Sequence, residues 1–241
     1  MLLLENVHPN AFNKLKEDGF SVENYPAGLD EEELSKKIQG IHVLGIRSKT
    51  MVTKKVLDHA DKLMAIGAFC IGTNQIDLEA ATQKGVAVFN APFSNTRSVV
   101  ELAIAEIIML MRGIPSKNAD MHVGKWSTTA TNSNEIRGKK LGIIGYGNIG
   151  KQLSILAENM GMDVYYYDIE EKLSLSNATK CDTLEELLSL SDVVSLHIDG
   201  RPENKNFFTQ EHFDLMKDNA LLLNLARGPV VDIEALKRNI E

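Results

Sequence analysis

Six consecutive residues, Gly145-Tyr146-Gly147-Asn148-Ile149-Gly150, have the spacing that cradles a diphosphate. Glycine clusters often make plain turns, so the context decides. Here the apolar run Leu141–Ile144 precedes the loop, and a helix-period segment, Ile149–Met160, follows it. Gly145 permits a tight turn, Gly147 lets a pyrophosphate approach the backbone, and Gly150 lets helix and strand pack closely. The helix that opens at Asn148 and Ile149 offers free amides and a partial positive charge to the phosphates. The second element is Asp168, which ends the run Val164–Tyr167 and lies 18 positions beyond Gly150. That is close to the separation of about 20 expected for an acid that accepts hydrogen bonds from the adenosine ribose. A carboxylate there repels a 2′-phosphate, which favours NAD over NADP. Taken alone, Asp168 reads more readily as a solvated strand-end acid or a turn former; strand, glycine loop and helix together favour the dinucleotide reading.

Other residue types stand where chemistry is done in open α/β sheets, just beyond the ends of apolar strands. Arg227 follows the buried run Leu221–Leu225, and its guanidinium can grip a carboxylate bidentately. The plain alternative is an arginine paired with a surface carboxylate. Leu225 and Ala226 offer backbone contacts beside it. Arg47 and Ser48 end the strand His42–Ile46 and can hold a phosphate or carboxylate; a solvated strand-end arginine is the plain reading. Cys70 and Ile71 lie in the loop before Gly72-Thr73, and Cys70 reads as a small, semi-buried thiol. Asn95 caps a helix, contacts a ligand, or does both. His197 ends a strand on the nucleotide side, where it can touch a bound cofactor or serve structure alone. None of the six histidines sits in a motif for a general base. Cys70 and Cys181 are too few for a disulfide framework or a zinc site, so no metal is expected.

The elements that position these residues alternate along the chain. Short apolar runs at Leu2–Leu4, His42–Ile46, Leu63–Ile66, Val86–Phe89, Leu141–Ile144, Val164–Tyr167, Val193–Leu196 and Leu221–Leu225 read as strands. Glu31–Ile38, Lys54–Ala60 and Ile149–Met160 read as helices. This is an α/β pattern of repeated βαβ units, hence parallel sheets covered on both faces. Turn formers at residues 90–97, with Pro92 among them, mark a boundary, giving domains at 1–94 and 95–241. The helix expected from about Arg97 to Arg112 is apolar on nearly every side, so it lies between domains or subunits, or deep in one core. Trp126 follows a helical segment, either at an interface or in the core. Four strands are counted from Leu141 onward, where a doubly wound nucleotide fold has about six. The last helix, from Asp232, reaches Glu241 without a capping glycine, so the chain reads as cut inside this domain.

Composition excludes several classes. The 241 residues are 44% hydrophobic and 24% charged, ordinary globular usage. The net charge of −7 argues against nucleic-acid or anionic-membrane binding. The longest apolar stretch, Val99–Met111, is interrupted by Glu101 and Glu106 and is too short for a membrane span. No secretory leader is visible, and a reducing cytoplasm is expected from the cysteine usage.

The runs Gly138–Gly150 and Leu221-Leu-Leu-Asn-Leu-Ala-Arg227-Gly228-Pro-Val-Val-Asp232 resemble the D-2-hydroxyacid dehydrogenase family. The segments Arg47-Ser-Lys-Thr, Ile66–Asp77 and Phe89–Val99 are similar to the branch of that family that acts on 3-phospho-D-glycerate. The resemblance covers essentially the whole chain. It implies a flavodoxin-like substrate domain beside a Rossmann-type NAD-binding domain, incomplete here. It implies oxidation of 3-phospho-D-glycerate to 3-phosphohydroxypyruvate with hydride passing to NAD, the opening step of serine biosynthesis. By the same resemblance Arg227 is the catalytic arginine and polarises the substrate C2 oxygen. Arg47, Ser48 and Asn95 contact substrate, as do the backbone amides at Cys70 and Ile71. The Trp126 arm packs at a subunit interface, so a homo-oligomer (dimer or tetramer) built through the nucleotide domain is implied. The family's Glu and His, its base and carboxylate, lie beyond residue 241, so the chain alone is expected to lack turnover. Two departures stand out: Asp199 follows Ile198 where the family usually has proline, and Ser127-Thr128-Thr129 replace a basic residue after Trp126. Alternative readings are another D-2-hydroxyacid dehydrogenase, acting on glyoxylate, hydroxypyruvate or lactate, and an NAD-sensing dimeric co-repressor.

Overall fold

The computed structural model describes residues 1–126 and 128–240; Ser127 and Glu241, on which one family departure and the last helix end fall, lie outside the described residues. The chain forms two compact units, Met1–Asn95 and Thr96–Glu241.

The first unit contains β1 (Leu2–Leu3), α1 (Pro9–Glu17), β2 (Glu23–Asn24), α2 (Glu31–Lys37), β3 (Val43–Ile46), α3 (Lys54–His59), β4 (Ala65–Ala68), α4 (Leu78–Gln83) and β5 (Ala87–Asn90). All its strands pair in parallel in the order β2-β1-β3-β4-β5. This is the flavodoxin-like order, 2-1-3-4-5. Leu2, Leu44, Ile46 and Ile66 are buried in the sheet and Leu34, Val56 and Leu57 in the helices packed on it. Side-chain caps start the helices: Asp30 and Glu33 form a capping box on α2, and Thr53 and Asp77 cap α3 and α4.

The second unit contains α5 (Thr96–Met111), α6 (Ile114–His122), β6 (Lys140–Ile144), α7 (Asn148–Asn159), β7 (Asp163–Tyr167), β8 (Thr179–Lys180), α8 (Leu184–Leu190), β9 (Val193–Leu196), α9 (Gln210–Asp214), β10 (Leu221–Asn224) and α10 (Ile233–Ile240). Its parallel sheet runs β10-β9-β6-β7-β8. From β6 the chain winds outward through β7 to β8, then crosses back to β9 on the other side. The strand order therefore reverses between β6 and β9, the crevice where doubly wound folds bind nucleotides. A Cβ on Gly142 would lie 2.2 Å from Ser191 Oγ and 2.6 Å from Leu187 Cδ2, so only glycine lets α8 pack this closely on β6.

The structure corrects several expectations. The second sheet has five strands, not four, because Thr179–Lys180 joins its edge. Neither this pair nor Glu23–Asn24 has an apolar run to announce it; both are edge strands held by backbone pairing. The strand expected at Leu63–Ile66 lies at Ala65–Ala68, where it pairs with β3 from Val43 onward. The helix α5 is not buried on every side. Val100, Ala103, Ile107 and Met111 form its buried stripe, while Leu102, Met109 and Leu110 are exposed. Trp126 is 75% exposed, which rules out a place in the core of this chain.

Candidate functional site

Every residue expected to hold the cofactor lies at the carboxyl end of the second sheet. The β6–α7 loop carries Gly145, Tyr146 and Gly147, and Asp168 follows β7. Gly145 has φ +93°, and a Cβ there would sit 2.8 Å from the carbonyl of His197. Its amide donates to Tyr167 O at 3.0 Å. A Cβ on Gly150 would meet Gly145 O at 2.4 Å, so α7 can approach the loop only with glycine at this position. Around Gly147 a Cβ would meet nothing within 4 Å, so the space in front of the loop is open.

Helix geometry leaves the amides of Asn148, Ile149 and Gly150 without intrahelical acceptors. No side chain caps this terminus either. A 12-residue helix that opens uncapped onto empty space fits a diphosphate. Asp168 points at the same loop: its Oδ2 accepts from Tyr146 N at 2.7 Å and its Oδ1 from Glu170 N at 2.9 Å. A carboxylate has about four acceptor sites, so two remain for a ribose diol. The residues present therefore fit a dinucleotide.

Tyr146 was not singled out from sequence, yet it supports this geometry. Its ring stacks on Tyr166 with centroids 3.7 Å apart, and both rings are fully buried. Its hydroxyl pairs with Ser154 at 2.8 Å and accepts from Leu175 N at 3.2 Å. The glycine loop is thus tied to the segment that follows Asp168.

His197 and Arg227 leave the ends of β9 and β10. Ser195 Oγ lies 2.9 Å from His197 Nε2, while Nδ1 is sealed from solvent with no partner. Burial pulls the His197 pKa down to about 4, so the ring is neutral at pH 7. Its carbonyl lies against Gly145, which puts it beside the nucleotide loop. Asn224 shapes the turn that presents Arg227, accepting from Ala226 N at 3.2 Å and donating to Arg227 O at 3.0 Å. The exposed Arg227 side chain runs against Gly200, where a Cβ would lie 2.7 Å from Arg227 Cγ. Leu225 and Ala226 are half-buried, and Arg227 Nη1 donates to Ala226 O at 2.9 Å. Asp199, the departure from the family pattern, forms a bidentate pair with Arg201.

The substrate residues expected in the first unit gather at the carboxyl end of its sheet. Arg47 and Ser48 are exposed beyond β3, and Cys70 and Ile71 are half-buried beyond β4. The two loops are cross-tied by Gln75, and Asn90 Nδ2 donates to Ile71 O at 2.7 Å. Asn95 is exposed immediately before α5. Among the described residues no group of three or more His, Cys, Asp or Glu is placed to hold a metal, and no helix is long and apolar enough to cross a membrane.

A Rossmann-type strand order with a glycine loop and an acid at the carboxyl end of the sheet defines a dinucleotide-binding fold. Residues 104–241 match the D-isomer specific 2-hydroxyacid dehydrogenase, NAD binding domain family, and the chain belongs to that family. NAD is therefore the cofactor of the second unit. D-3-phosphoglycerate dehydrogenase of Haemophilus influenzae is 52% identical over 241 residues, all of this chain and 59% of that protein. D-3-phosphoglycerate dehydrogenase 1 of Saccharomyces cerevisiae is 52% identical over 98% of this chain and 50% of its own length. This chain thus spans little more than half the length of these relatives. Among solved structures, D-lactate dehydrogenase from Aquifex aeolicus, complexed with NAD and lactic acid, superposes with a TM-score of 0.87. It is 27% identical, over 100% of this chain and 73% of that one.

Proposed function

We propose that this chain holds the cofactor and the substrate anion in an NAD-dependent oxidation of 3-phospho-D-glycerate to 3-phosphohydroxypyruvate, the reaction that opens serine biosynthesis. The observation that carries this reading is the 52% identity to a phosphoglycerate dehydrogenase throughout the chain, including the first unit, which lies outside the NAD-binding match. NAD, when bound, supplies the hydride acceptor. The amides at Asn148–Gly150 bind its diphosphate, and Asp168 orients its ribose. Arg227 holds the substrate carboxylate and stabilises charge at the C2 oxygen. Arg47, Ser48 and the amides at Cys70 and Ile71, with Asn95, hold the anionic ends of the substrate. The His197 ring, with Nε2 paired to Ser195 and Nδ1 sealed from solvent, is not the acceptor of the hydroxyl proton.

Isothermal titration tests the reading. In the presence of NADH the chain is expected to bind 3-phospho-D-glycerate and to discriminate against D-lactate, with Arg227→Ala weakening the phosphoglycerate titration. Preference for an unphosphorylated acid would assign the chain to a sibling enzyme. Tight NADH binding with no hydroxyacid bound would favour a co-repressor.

The reading includes self-association through the second unit. Leu102, Met109 and Leu110 on α5, with Ile114, Met121 and Trp126 after it, leave apolar surface exposed. Surface of this kind marks contact sites. A cytoplasmic setting belongs to the same proposal, supported by Cys70 and Cys181 both being free thiols.

A further inference from the structure

Glu5 follows β1 with a left-handed backbone, φ +61°, and is 7% exposed. A carboxylate buried this deeply needs several donors. It finds three, all backbone amides of one loop: Arg47 N at 3.1 Å and Thr50 N at 2.8 Å on Oε1, and Lys49 N at 2.9 Å on Oε2. Burial raises its pKa, but the hydrogen bonds from Thr50, Lys49 and Arg47 outweigh burial and hold the carboxyl below its ordinary range. Gln75, 2% exposed, reaches the same loop through its side-chain NH2, at the backbone carbonyl of Arg47. Gln75 Nε2 donates its two hydrogens to Arg47 O at 2.8 Å and Gly72 O at 3.1 Å, with Cys70 Sγ 3.3 Å away. Arg47 is therefore held at its backbone nitrogen by one buried group and at its oxygen by another. The residues Arg47, Ser48 and Lys49 themselves are exposed.

Building on the reading of Arg47 and Ser48 as anion-holding residues, we propose that Glu5 and Gln75 are positioning residues that clamp the 47–50 loop and aim it at the substrate phosphate or carboxylate. Neither contact builds the sheet, since both lie beyond strand ends. Buried polar groups of this kind give shape more than stability. The negative charge of Glu5 is taken up by three amide dipoles, so the cationic loop can still receive an anion. Gln75 also joins this loop to the one carrying Cys70 and Ile71, which sets the spacing between the two sets of substrate contacts.

The test compares Glu5→Gln, Glu5→Asp, Gln75→Ala and Arg47→Ala in the whole chain, with 3-phospho-D-glycerate and NAD as separate titrants. Amide hydrogen exchange is followed at Arg47, Lys49 and Thr50. Glu5→Gln is expected to speed exchange at those amides and raise the phosphoglycerate Kd by about tenfold while leaving the NAD Kd within about twofold. Glu5→Asp, which keeps both acceptor oxygens, recovers part of each effect; loss of folding of the first unit would also speed exchange in its sheet, at Leu44 and Ile66, whereas a freed loop speeds it at Arg47, Lys49 and Thr50 alone. If Glu5→Gln unfolds the protein, Gln75→Ala, which leaves the carboxylate in place, carries the same comparison. Weakened binding in Arg47→Ala, but not in Glu5→Gln or Gln75→Ala, overturns the clamp alone. Unchanged phosphoglycerate binding in Arg47→Ala places the anion site elsewhere, and both readings fall.

Discussion

Asp168 is the residue on which the nucleotide reading turns, and its two protein hydrogen bonds leave acceptor capacity on each oxygen. Asp168→Asn keeps the shape and removes the charge. Charge-assisted hydrogen bonds contribute about 1.5–3 kcal/mol, so NAD affinity is expected to fall by about tenfold or more, with discrimination against NADP relaxed. Titration with both nucleotides checks this; unchanged affinities would remove Asp168 from the ribose site. His197 makes a pH prediction. Its folded pKa, about 4, lies below the ordinary 6.5, so the unfolded chain binds the proton first. Stability is complete above about pH 6.5 and declines as pH falls toward 4, because unfolding takes up a proton in that window. His212 is lowered in the same direction, burial being the main cause, so the comparison must isolate one ring. Urea midpoints across this range should fall less steeply in His197→Gln than in the parent chain.

At the scale of elements, the glycine loop works only because β6 and α7 meet at Gly150. Adding one methyl group there drives a Cβ into the Gly145 carbonyl, a backbone atom that cannot rotate away. Overpacking of this kind costs about 1–3 kcal/mol, so Gly150→Ala should lower the urea midpoint. It should also weaken NAD binding, because the loop must shift to relieve the contact. Normal NAD affinity in a stably folded Gly150→Ala chain would show that the loop has slack the geometry denies. The main strands and the glycine loop were legible in sequence because buried parallel strands are apolar runs and the loop has a fixed spacing. The two edge strands were not legible, since backbone pairing alone defines them. Tyr146, Glu5 and Gln75 escaped for a related reason. Each acts on residues 20 or more positions away: Leu175 for Tyr146, Arg47 for the other two. The signal for Glu5 was slight, an acidic residue directly after the apolar run Leu2–Leu4.

For the whole molecule, the open question is what covers the apolar face of α5. Alternation of apolar residues around that helix left its buried side undefined until packing, chiefly against α7, took Val100, Ala103, Ile107 and Met111. The remaining face, with Leu110 42% exposed, is expected to meet a second copy of the chain. Leu110→Asp places a charge on that face, where an unpaired ion is costly to bury. Sedimentation velocity should show the parent chain as an oligomer and the variant shifted to monomer, with the far-UV spectrum unchanged. A parent chain that sediments as a monomer would leave this face to another partner.

The sequence by itself determined the local chemistry: which runs become strands, where a diphosphate can lie, and which acid follows at the distance of one βαβ unit. Those properties depend on neighbours in the chain and on a period, so a linear reading recovers them. Only the tertiary structure decided that Asp168 turns toward the loop, that α5 leaves one face open, and that Glu5 and Gln75 grip the same backbone from two sides. These arrangements depend on which strand lies beside which. The order of strands in a sheet brings together residues that no spacing along the chain connects.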